Sequence, residues 1–195
     1  MEKLETKTIK VVLEGVADIL FDRFIDHSKE DRPPEQKLYL SGENQVVFPS
    51  ENLTAFLFGD LKPGCAKIFE GKKCKDYIRM GMSHVFFKQG LIPFTKKGKP
   101  IVFKNFENGN FYLYESAPAT KMSGGGIIKQ EAKPRPVLKV EPDPWQLKFD
   151  IEYVPNPIID GTKLYNYFVN GGILLALGSY RPRFGRFIVK TWDEK

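Results

Sequence analysis

The sequence predicts an α+β fold, in which short strands and helices alternate along one chain of 195 residues. Apolar residues make up 42% of the chain and aromatic residues 13%, which is enough for a packed core. Apolar side chains alternate with charged ones over Leu147–Tyr153, the two-residue period of a strand. Leu53, Phe56 and Leu57 instead follow the spacing of one helix face. Both periods in one chain favour an α+β class.

The first third of the chain predicts a strand, a hairpin and a helix. Apolar and polar residues alternate over Thr8–Glu14, as in a half-buried strand. The turn-forming residues Ser41–Asn44 separate two short extended pieces, so this part is a predicted hairpin. A helix then follows, with Ser50 as its N-cap and Gly59 at its end.

The middle of the chain predicts a second helix over Lys73–Met80 and short strands at Val85–Phe87 and Ile101–Lys104. Between the two strands, Lys96–Lys99 has the composition of a basic turn.

Asn108–Gly109 is the strongest short hairpin signal in the chain. It predicts that Val102–Phe106 pairs with Phe111–Tyr114. The next segment, Ala117–Pro136, contains three consecutive glycines and few large apolar residues. We therefore expect a long mobile loop, which in a compact domain is usually functional or disordered.

The last third begins with the strand Leu147–Tyr153. Asp160 is predicted to cap a helix and Asn170–Gly172 to close it. A final strand is predicted over Gly185–Trp192. The resulting order of strand, helix, strands, strand, helix and strand suits an α+β sandwich of the ferredoxin-like type with insertions.

The net charge of +6 is divided unevenly along the chain. Residues 1–60 carry twelve acids against seven bases, whereas residues 61–104 carry eleven bases against two acids. Charge segregated in this way creates a field whose obvious partner is a polyanion, although a solvated basic face is the alternative. Candidate nucleic-acid contacts in the basic region and the segment after it are Lys67, Lys72, Lys73, Lys75, Arg79, Lys97, Lys99, Lys121 and Lys129.

The C-terminal part combines glycine, arginine and aromatic residues. Arg181, Arg183 and Arg186 lie within six positions and offer bidentate contacts to phosphates. Tyr180 and Phe184 alternate with them and are candidates for base stacking. The alternative is a helix-to-strand turn whose aromatic rings belong to the core.

Catalytic signatures are few. The chain contains no GxxxxGK[ST], GxSxG, CxxC or HExxH motif, and two cysteines with two histidines leave little for a zinc site. We expect neither a metal nor a cofactor. Weak catalytic candidates are His27, Asp26 and Asp31, which lie together in a polar stretch. The N-terminus has no apolar signal-peptide core and no apolar run could span a membrane, so the expected compartment is the cytoplasm.

Two segments resemble a known family. Val47–Leu57 looks like the "I-P-G-S-S-L-K-G-A-L-R" element of RAMP proteins, the group that includes Cas7-like CRISPR backbone subunits, and Ala176–Val189 looks like their glycine-rich element. Arg183–Lys190 also partly matches the RRM strand signature. The chain is further similar to short uncharacterised phage and prophage proteins that share the ending "R-P-x-F-G-R-F". It departs from the RAMP pattern at Glu51, Thr54 and Ala55.

The resemblance implies a single modified RRM-like domain over residues 1–195, with residues 61–140 as an insertion or thumb. It implies non-catalytic binding of single-stranded RNA or DNA in a basic groove, homo-oligomeric filaments along the strand, and phage or CRISPR-type protein partners. The sequence leaves two alternatives open: a ribonuclease of the RAMP type, and a phage structural or interaction protein that docks on an acidic host protein.

Overall fold

The computed structural model describes residues 5–23, 32–107, 109–116, 119–121, 127–129 and 132–195. Within these residues the strands are β1 (Lys7–Gly15), β2 (Ile19–Leu20), β3 (Val47–Pro49), β4 (Val85–Phe87), β5 (Leu91–Lys96), β6 (Lys99–Pro100), β7 (Phe111–Ser116), β8 (Ala119–Lys121), β9 (Ile127–Lys129), β10 (Lys133–Leu138), β11 (Gln146–Tyr153) and β12 (Phe187–Glu194). The helices are α1 (Ser50–Phe58), α2 (Cys65–Phe69), α3 (Cys74–His84) and α4 (Gly161–Leu174). Short 3-10 turns lie at Pro34–Lys37 and Gly71–Lys73.

A large antiparallel sheet runs in the order β12-β1-β11-β5-β3, with β4 paired to β11 and β6 to β5. Strand β1 lies between β12 and β11, and the register places Val11 of β1 opposite Phe149 of β11. The alternation that predicted these two strands therefore puts their apolar residues on one shared face, where burial stabilises the sheet. The predicted α+β class is confirmed.

Helices α1 and α4 pack on that apolar face. The ring centroid of Phe56 in α1 lies 5.6 Å from that of Phe187 in β12. In α4, the ring centroid of Phe168 lies 5.9 Å from that of Phe149. The opposite face of β11 carries Lys148, Asp150 and Glu152, which alternate with its buried residues.

A smaller sheet joins β2, β10 and β7 in that order, and β8 pairs with β9. The small sheet has its own apolar cluster, in which Leu20 and Val137 contact Phe184 from the segment after α4. Through this contact the C-terminal part of the chain packs against the N-terminal part.

Several element boundaries differ from the predictions for physical reasons. Pro49, not Ser50, is the N-cap of α1, and the backbone N–H of Ser50 donates to the carbonyl of Gly90 at 2.9 Å. Helix α2 has no predicted counterpart. The predicted strand Ile101–Lys104 is irregular, because Ile101 and Phe103 hydrogen-bond to different segments and only Val102 forms an isolated bridge.

The predicted hairpin between Val102–Phe106 and Phe111–Tyr114 is wrong. Strand β7 pairs instead with β10 over six residues, more than the four residues of Phe111–Tyr114 that the predicted hairpin would have paired. The predicted turn residue Asn108 lies outside the described residues. The predicted loop Ala117–Pro136 contains β8, β9 and the start of β10, while its three glycines, 124–126, lie outside the described residues.

Helix α4 does not close at Asn170–Gly172 but continues to Leu174. A Cβ at Gly171 would lie 2.6 Å from the Cys65 Sγ and 2.6 Å from the Phe56 ring. Gly171 therefore permits close packing of α4 against α1 and α2 rather than ending the helix. The predicted cap is confirmed, since the Lys163 N–H donates to Asp160 Oδ1 at 2.6 Å.

Candidate nucleic-acid interface

A cavity of about 600 Å³ lies where three parts of the chain meet. Its walls come mainly from the end of β2, from α1, and from the segment Ala176–Gly185 after α4, which we call the tail loop. Tyr39, Phe48 in β3 and Lys62 after α1 complete the lining. The two segments that resemble RAMP elements, Val47–Leu57 and Ala176–Val189, thus meet at one site. The lining residues are Leu20, Phe21, Asp22, Tyr39, Phe48, Asn52, Ala55, Phe56, Lys62, Leu177, Gly178, Ser179, Tyr180 and Arg181.

The tail loop has an unusual backbone conformation. Ala176 and Tyr180 adopt positive φ angles of 61° and 55°, which non-glycine residues rarely do. At Gly178, where φ is 76°, a Cβ would lie 2.7 Å from the Leu20 carbonyl oxygen. The N–H of Ser179 donates to that same oxygen at 2.9 Å. Such strained positions persist only where the surroundings fix them, and they often mark functional sites.

Asp18 holds the tail loop and the small sheet together. Its Oδ1 accepts from the Val140 N–H at 2.8 Å and its Oδ2 from the Tyr112 hydroxyl at 2.9 Å, while its carbonyl accepts from the Gly185 N–H at 2.7 Å. Burial, with the Asp18 hydrogen bond, raises the pKa of Tyr112 to about 12. No sequence pattern indicates this role, because Asp18 is one of many acids in an acidic region.

Arg181 is the main cation of the cavity. It is half-buried, and its Nη1 donates to the Ala176 carbonyl at 3.5 Å. Among the described residues no carboxylate forms an ion pair with it. Burial lowers the pKa of its guanidinium, because the half-buried charge loses part of its hydration. A half-buried arginine without a counter-ion is a favourable place for an anionic ligand.

Two further polar side chains of the cavity have no hydrogen-bond or ion-pair partner among the described residues. The ammonium of Lys62 and the amide of Asn52 make no hydrogen bond or ion pair within the described part of the chain. The cavity also has one acidic lining residue, Asp22, whose Oδ2 accepts from Arg135 Nε at 2.8 Å. Since Arg135 neutralises that carboxylate, the cationic character of the cavity comes from Arg181 and Lys62.

The two aromatic residues predicted to stack bases have different environments. Phe184 is 6% exposed, and its ring centroid lies 5.2 Å from that of Tyr114, so it supports the tail loop from inside and offers no free ring face. This corrects the prediction for Phe184. Tyr180 is half-buried and lines the cavity, and its ring centroid lies 5.5 Å from the Arg135 guanidinium.

The other two arginines of the tail lie outside the cavity lining. Arg183 is exposed, and its guanidinium lies 5.4 Å from the Tyr114 ring centroid and 5.8 Å from that of Phe184. Arg186 is exposed, and its carbonyl accepts from the Val16 N–H at 2.9 Å. Both side chains are accessible to a ligand that extends beyond the cavity.

Five of the predicted basic residues lie on or between α2 and α3. Lys67 pairs with Asp60, and Arg79 pairs with Asp76 at 3.4 Å. The remaining three are exposed and form no ion pair with any described residue: Lys72, Lys73 and Lys75. These three charges are available to a polyanion.

The remaining predicted bases lie elsewhere in the fold. Lys97 is at the turn between β5 and β6 and pairs with Asp143 at 3.0 Å, and Lys99 is exposed on β6. Lys121 and Lys129 occupy β8 and β9, where Lys129 is opposite Ala119.

The weak catalytic candidates His27, Asp26 and Asp31 lie outside the described residues. Within the described ranges, no three His, Cys, Asp or Glu side chains are grouped as metal ligands. No described helix combines the length and apolar character needed to cross a bilayer.

No protein-family model matches the chain, and no curated protein matches it. The fold is similar to a solved structure, a chain in the cryo-EM structure of the Type III-B Cmr-beta complex bound to cognate target RNA. The two share 13% identity with a TM-score of 0.52. The match covers 98% of this chain and 61% of the chain from the Cmr structure, so this chain spans about three fifths of the length of the Cmr chain. At this identity the similarity concerns the fold.

Proposed function

We propose that this protein binds single-stranded nucleic acid without cleaving it, and that the tail-loop cavity is the centre of the interface. The main support for this proposal is that the half-buried guanidinium of Arg181 has no acidic partner among the described residues. A phosphate of the strand supplies the missing counter-charge and accepts two parallel hydrogen bonds from the guanidinium. Lys62, in the same cavity, contributes a second positive charge.

The fold supports this assignment. The order β12-β1-β11-β5, with α1 following β1 and α4 following β11, corresponds to the β-α-β-β-α-β pattern of a ferredoxin-like sandwich. We therefore assign a modified ferredoxin-like, RRM-like core of the RAMP, Cas7-like type. The insertion expected over residues 61–140 contains β5, which this assignment counts as a core strand, so the thumb-like part would be the excursion between β5 and β11.

The nucleic acid is RNA in this proposal. The supporting observation is that the similar chain comes from a complex bound to target RNA. Because the similar chain comes from a Cmr complex, other CRISPR-type proteins, or further copies of this chain aligned along the strand, are the proposed protein partners.

The exposed bases extend the interface beyond the cavity. Arg183 and Arg186 follow Arg181 along the tail, while Lys72, Lys73 and Lys75 form a second basic surface. The remaining predicted contacts are Lys67, Arg79, Lys97, Lys99, Lys121 and Lys129. Contacts of this kind are electrostatic, so affinity should fall steeply with salt.

Fluorescence anisotropy with a labelled single-stranded RNA at two salt concentrations tests the proposal. We expect saturable binding at low salt that weakens strongly at high salt, and weaker binding of the same sequence as a duplex. No binding at low salt would refute nucleic-acid binding. Cleavage of the labelled strand would favour the ribonuclease alternative instead.

A further inference from the structure

We propose that two copies of this chain associate through the open edge of the large sheet, with their β12 strands paired antiparallel about a two-fold axis at Trp192. This inference goes beyond the proposed function, because the contact forms without nucleic acid and stops at two copies. It involves β12 and the adjoining flank of α4, and none of the residues that line the tail-loop cavity.

Strand β12 has a row of backbone groups that are open to pairing. It stands at the end of the large sheet, and no described strand pairs with its other side. On the β1 side, Thr8 and Lys195 exchange backbone hydrogen bonds of 3.1 and 2.8 Å. Because such pairs alternate along an antiparallel ladder, the N–H and carbonyl groups of Trp192 and Glu194 point away from β1. Open groups of this kind are a template for another strand.

An apolar stripe of α4 follows the same edge. Tyr165, Val169 and Ile173 recur every four residues, and each is between 37% and 45% exposed. The ring centroid of Tyr165 lies 5.4 Å from that of Trp192, so the stripe adjoins the open strand. A groove of about 490 Å³ lies beside these two rings, and Val189 also lines it. A strand added to β12 covers this groove, and burial of its apolar lining stabilises the contact.

The edge strand also carries charges of both signs on one face of the sheet. Lys190 forms an ion pair with Glu14, and Asp193 is opposite Lys10 in the register with β1. Glu14 and Lys10 alternate with the buried residues of β1, so Lys190 and Asp193 both lie on the face away from the helices. Both are exposed and accessible to a second copy.

These charges favour a second copy as the partner and determine the register. With Trp192 opposite Trp192 of the second copy, Thr191 is opposite Asp193. Lys190 is the extra residue of a bulge next to Thr191, so it lies close to Asp193 of the second copy. The two-fold axis produces this opposite-charge contact twice. An axis at Asp193 would instead place two aspartates opposite each other, which destabilises a strand pair.

The same axis brings the two α4 helices side by side. Helix α4 follows its own β12, since a Cβ at Gly161 would meet the Glu194 carboxylate and one at Gly172 would lie 2.5 Å from the Phe187 carbonyl oxygen. The apolar stripes of the two helices therefore face each other across the interface. An isologous contact requires a surface that is complementary to itself, and both the strand edge and the stripe meet that condition.

Sedimentation equilibrium of nuclease-treated protein over a series of concentrations tests the association. We expect a reversible equilibrium between one and two chains. Val169→Glu should raise the dissociation constant by about 100-fold or more, because two carboxylates then face each other in the interface. Asn170→Glu is the matched control and should leave the dissociation constant unchanged, since this exposed position lies about 100° further around α4.

Disulfide trapping tests the register. Thr191 and Asp193 of the second copy form a pair without mutual hydrogen bonds, in which the Cα atoms are about 4.5 Å apart, close enough for a disulfide. A mixture of the Thr191→Cys and Asp193→Cys proteins should cross-link faster than either protein alone. The unaltered protein, in which Cys65 is buried and Cys74 half-buried, gives the background.

The outcomes separate this inference from the proposed function. A single chain at every concentration refutes the inference, whether the edge is free or bound by another protein. Equal association of Val169→Glu and the unaltered protein, or no faster cross-linking in the mixture, places the contact elsewhere and refutes the assignment to β12. Larger species without RNA, or association only with RNA, refute a closed two-fold contact. If the dimer forms as expected but binds no RNA, the proposed function alone fails.

Discussion

Arg135 Nε donates to Asp22 Oδ2 at 2.8 Å and joins the small sheet to the wall of the cavity. The arginine side chain is 7% exposed, whereas that of the aspartate is 35% exposed. The guanidinium also lies 5.5 Å from the Tyr180 ring centroid, so one residue of β10 supports both sides of the cavity. Stability of the site and of the small sheet should therefore change together.

We expect Arg135→Met to lower the free energy of unfolding by about 2–4 kcal/mol, since it leaves Asp22 without its partner in a partly buried place. Chemical denaturation measures the change. Arg79→Met is the control, because its pair with Asp76 is exposed on both sides and should contribute less than about 0.5 kcal/mol. Equal decreases in stability for the two variants would show that the Arg135 pair has no special structural role.

Lys72 and Lys73 between α2 and α3, and Lys75 at the start of α3, form no ion pair with any described residue and should contribute to affinity by binding phosphates. Replacing Lys72, Lys73 and Lys75 with alanine should reduce the slope of log K against log salt by about 0.7 for each neutralised phosphate, up to about 2 in total. Binding titrations of single-stranded RNA over a series of salt concentrations provide the slope. An unchanged slope would place these lysines outside the interface.

Gly171→Ala should destabilise the protein by about 1–3 kcal/mol, because the new methyl group would overlap Cys65 and Phe56 and push α4 away from α1 and α2. Thermal and chemical unfolding both report the decrease in stability. Gly42→Ala is the control, since a Cβ there has no neighbour within 4 Å. A neutral Gly171→Ala would mean that the helices pack less closely than the distances indicate.

Arg181→Met should leave the free energy of unfolding unchanged or raise it by up to about 1 kcal/mol, since it replaces a half-buried charge that has no acidic partner among the described residues with an apolar side chain of similar length. Denaturation in the absence of nucleic acid tests this expectation. A decrease of more than about 1 kcal/mol would identify Arg181 as a structural residue.

Local sequence patterns correctly predict the elements that have regular backbone hydrogen bonding or a side-chain cap. The alternation over Leu147–Tyr153 corresponds to β11, and the Asp160 cap is present with its hydrogen bond. By contrast, the pairing of β7 with β10 joins residues that are distant in the sequence, so the local turn signal at Asn108–Gly109 pointed to the wrong partner. Long-range ladders have no signature in a single sequence.

The candidate site was predicted in part. The glycine-rich tail and the segment Val47–Leu57 each carry a recognisable pattern, and the structure brings them to one cavity. The sequence does not indicate a role for Asn52 or Lys62, because the function of a single amide or lysine depends on residues that are close in space but distant in the sequence. For Phe184 the sequence allows either base stacking or a place in the core, since an aromatic residue between arginines has the same pattern in both cases, and the structure buries it.

The affinity of Arg181→Met for single-stranded RNA at low salt tests the central claim most directly. Removing a charge-assisted hydrogen bond to phosphate should weaken binding by about 10- to 100-fold. Lys148→Met, which removes one positive charge from the exposed face of β11, should change the affinity by no more than about twofold. Equal affinities of the Arg181→Met variant and the unaltered protein would contradict the assignment of the tail-loop cavity as the nucleic-acid interface.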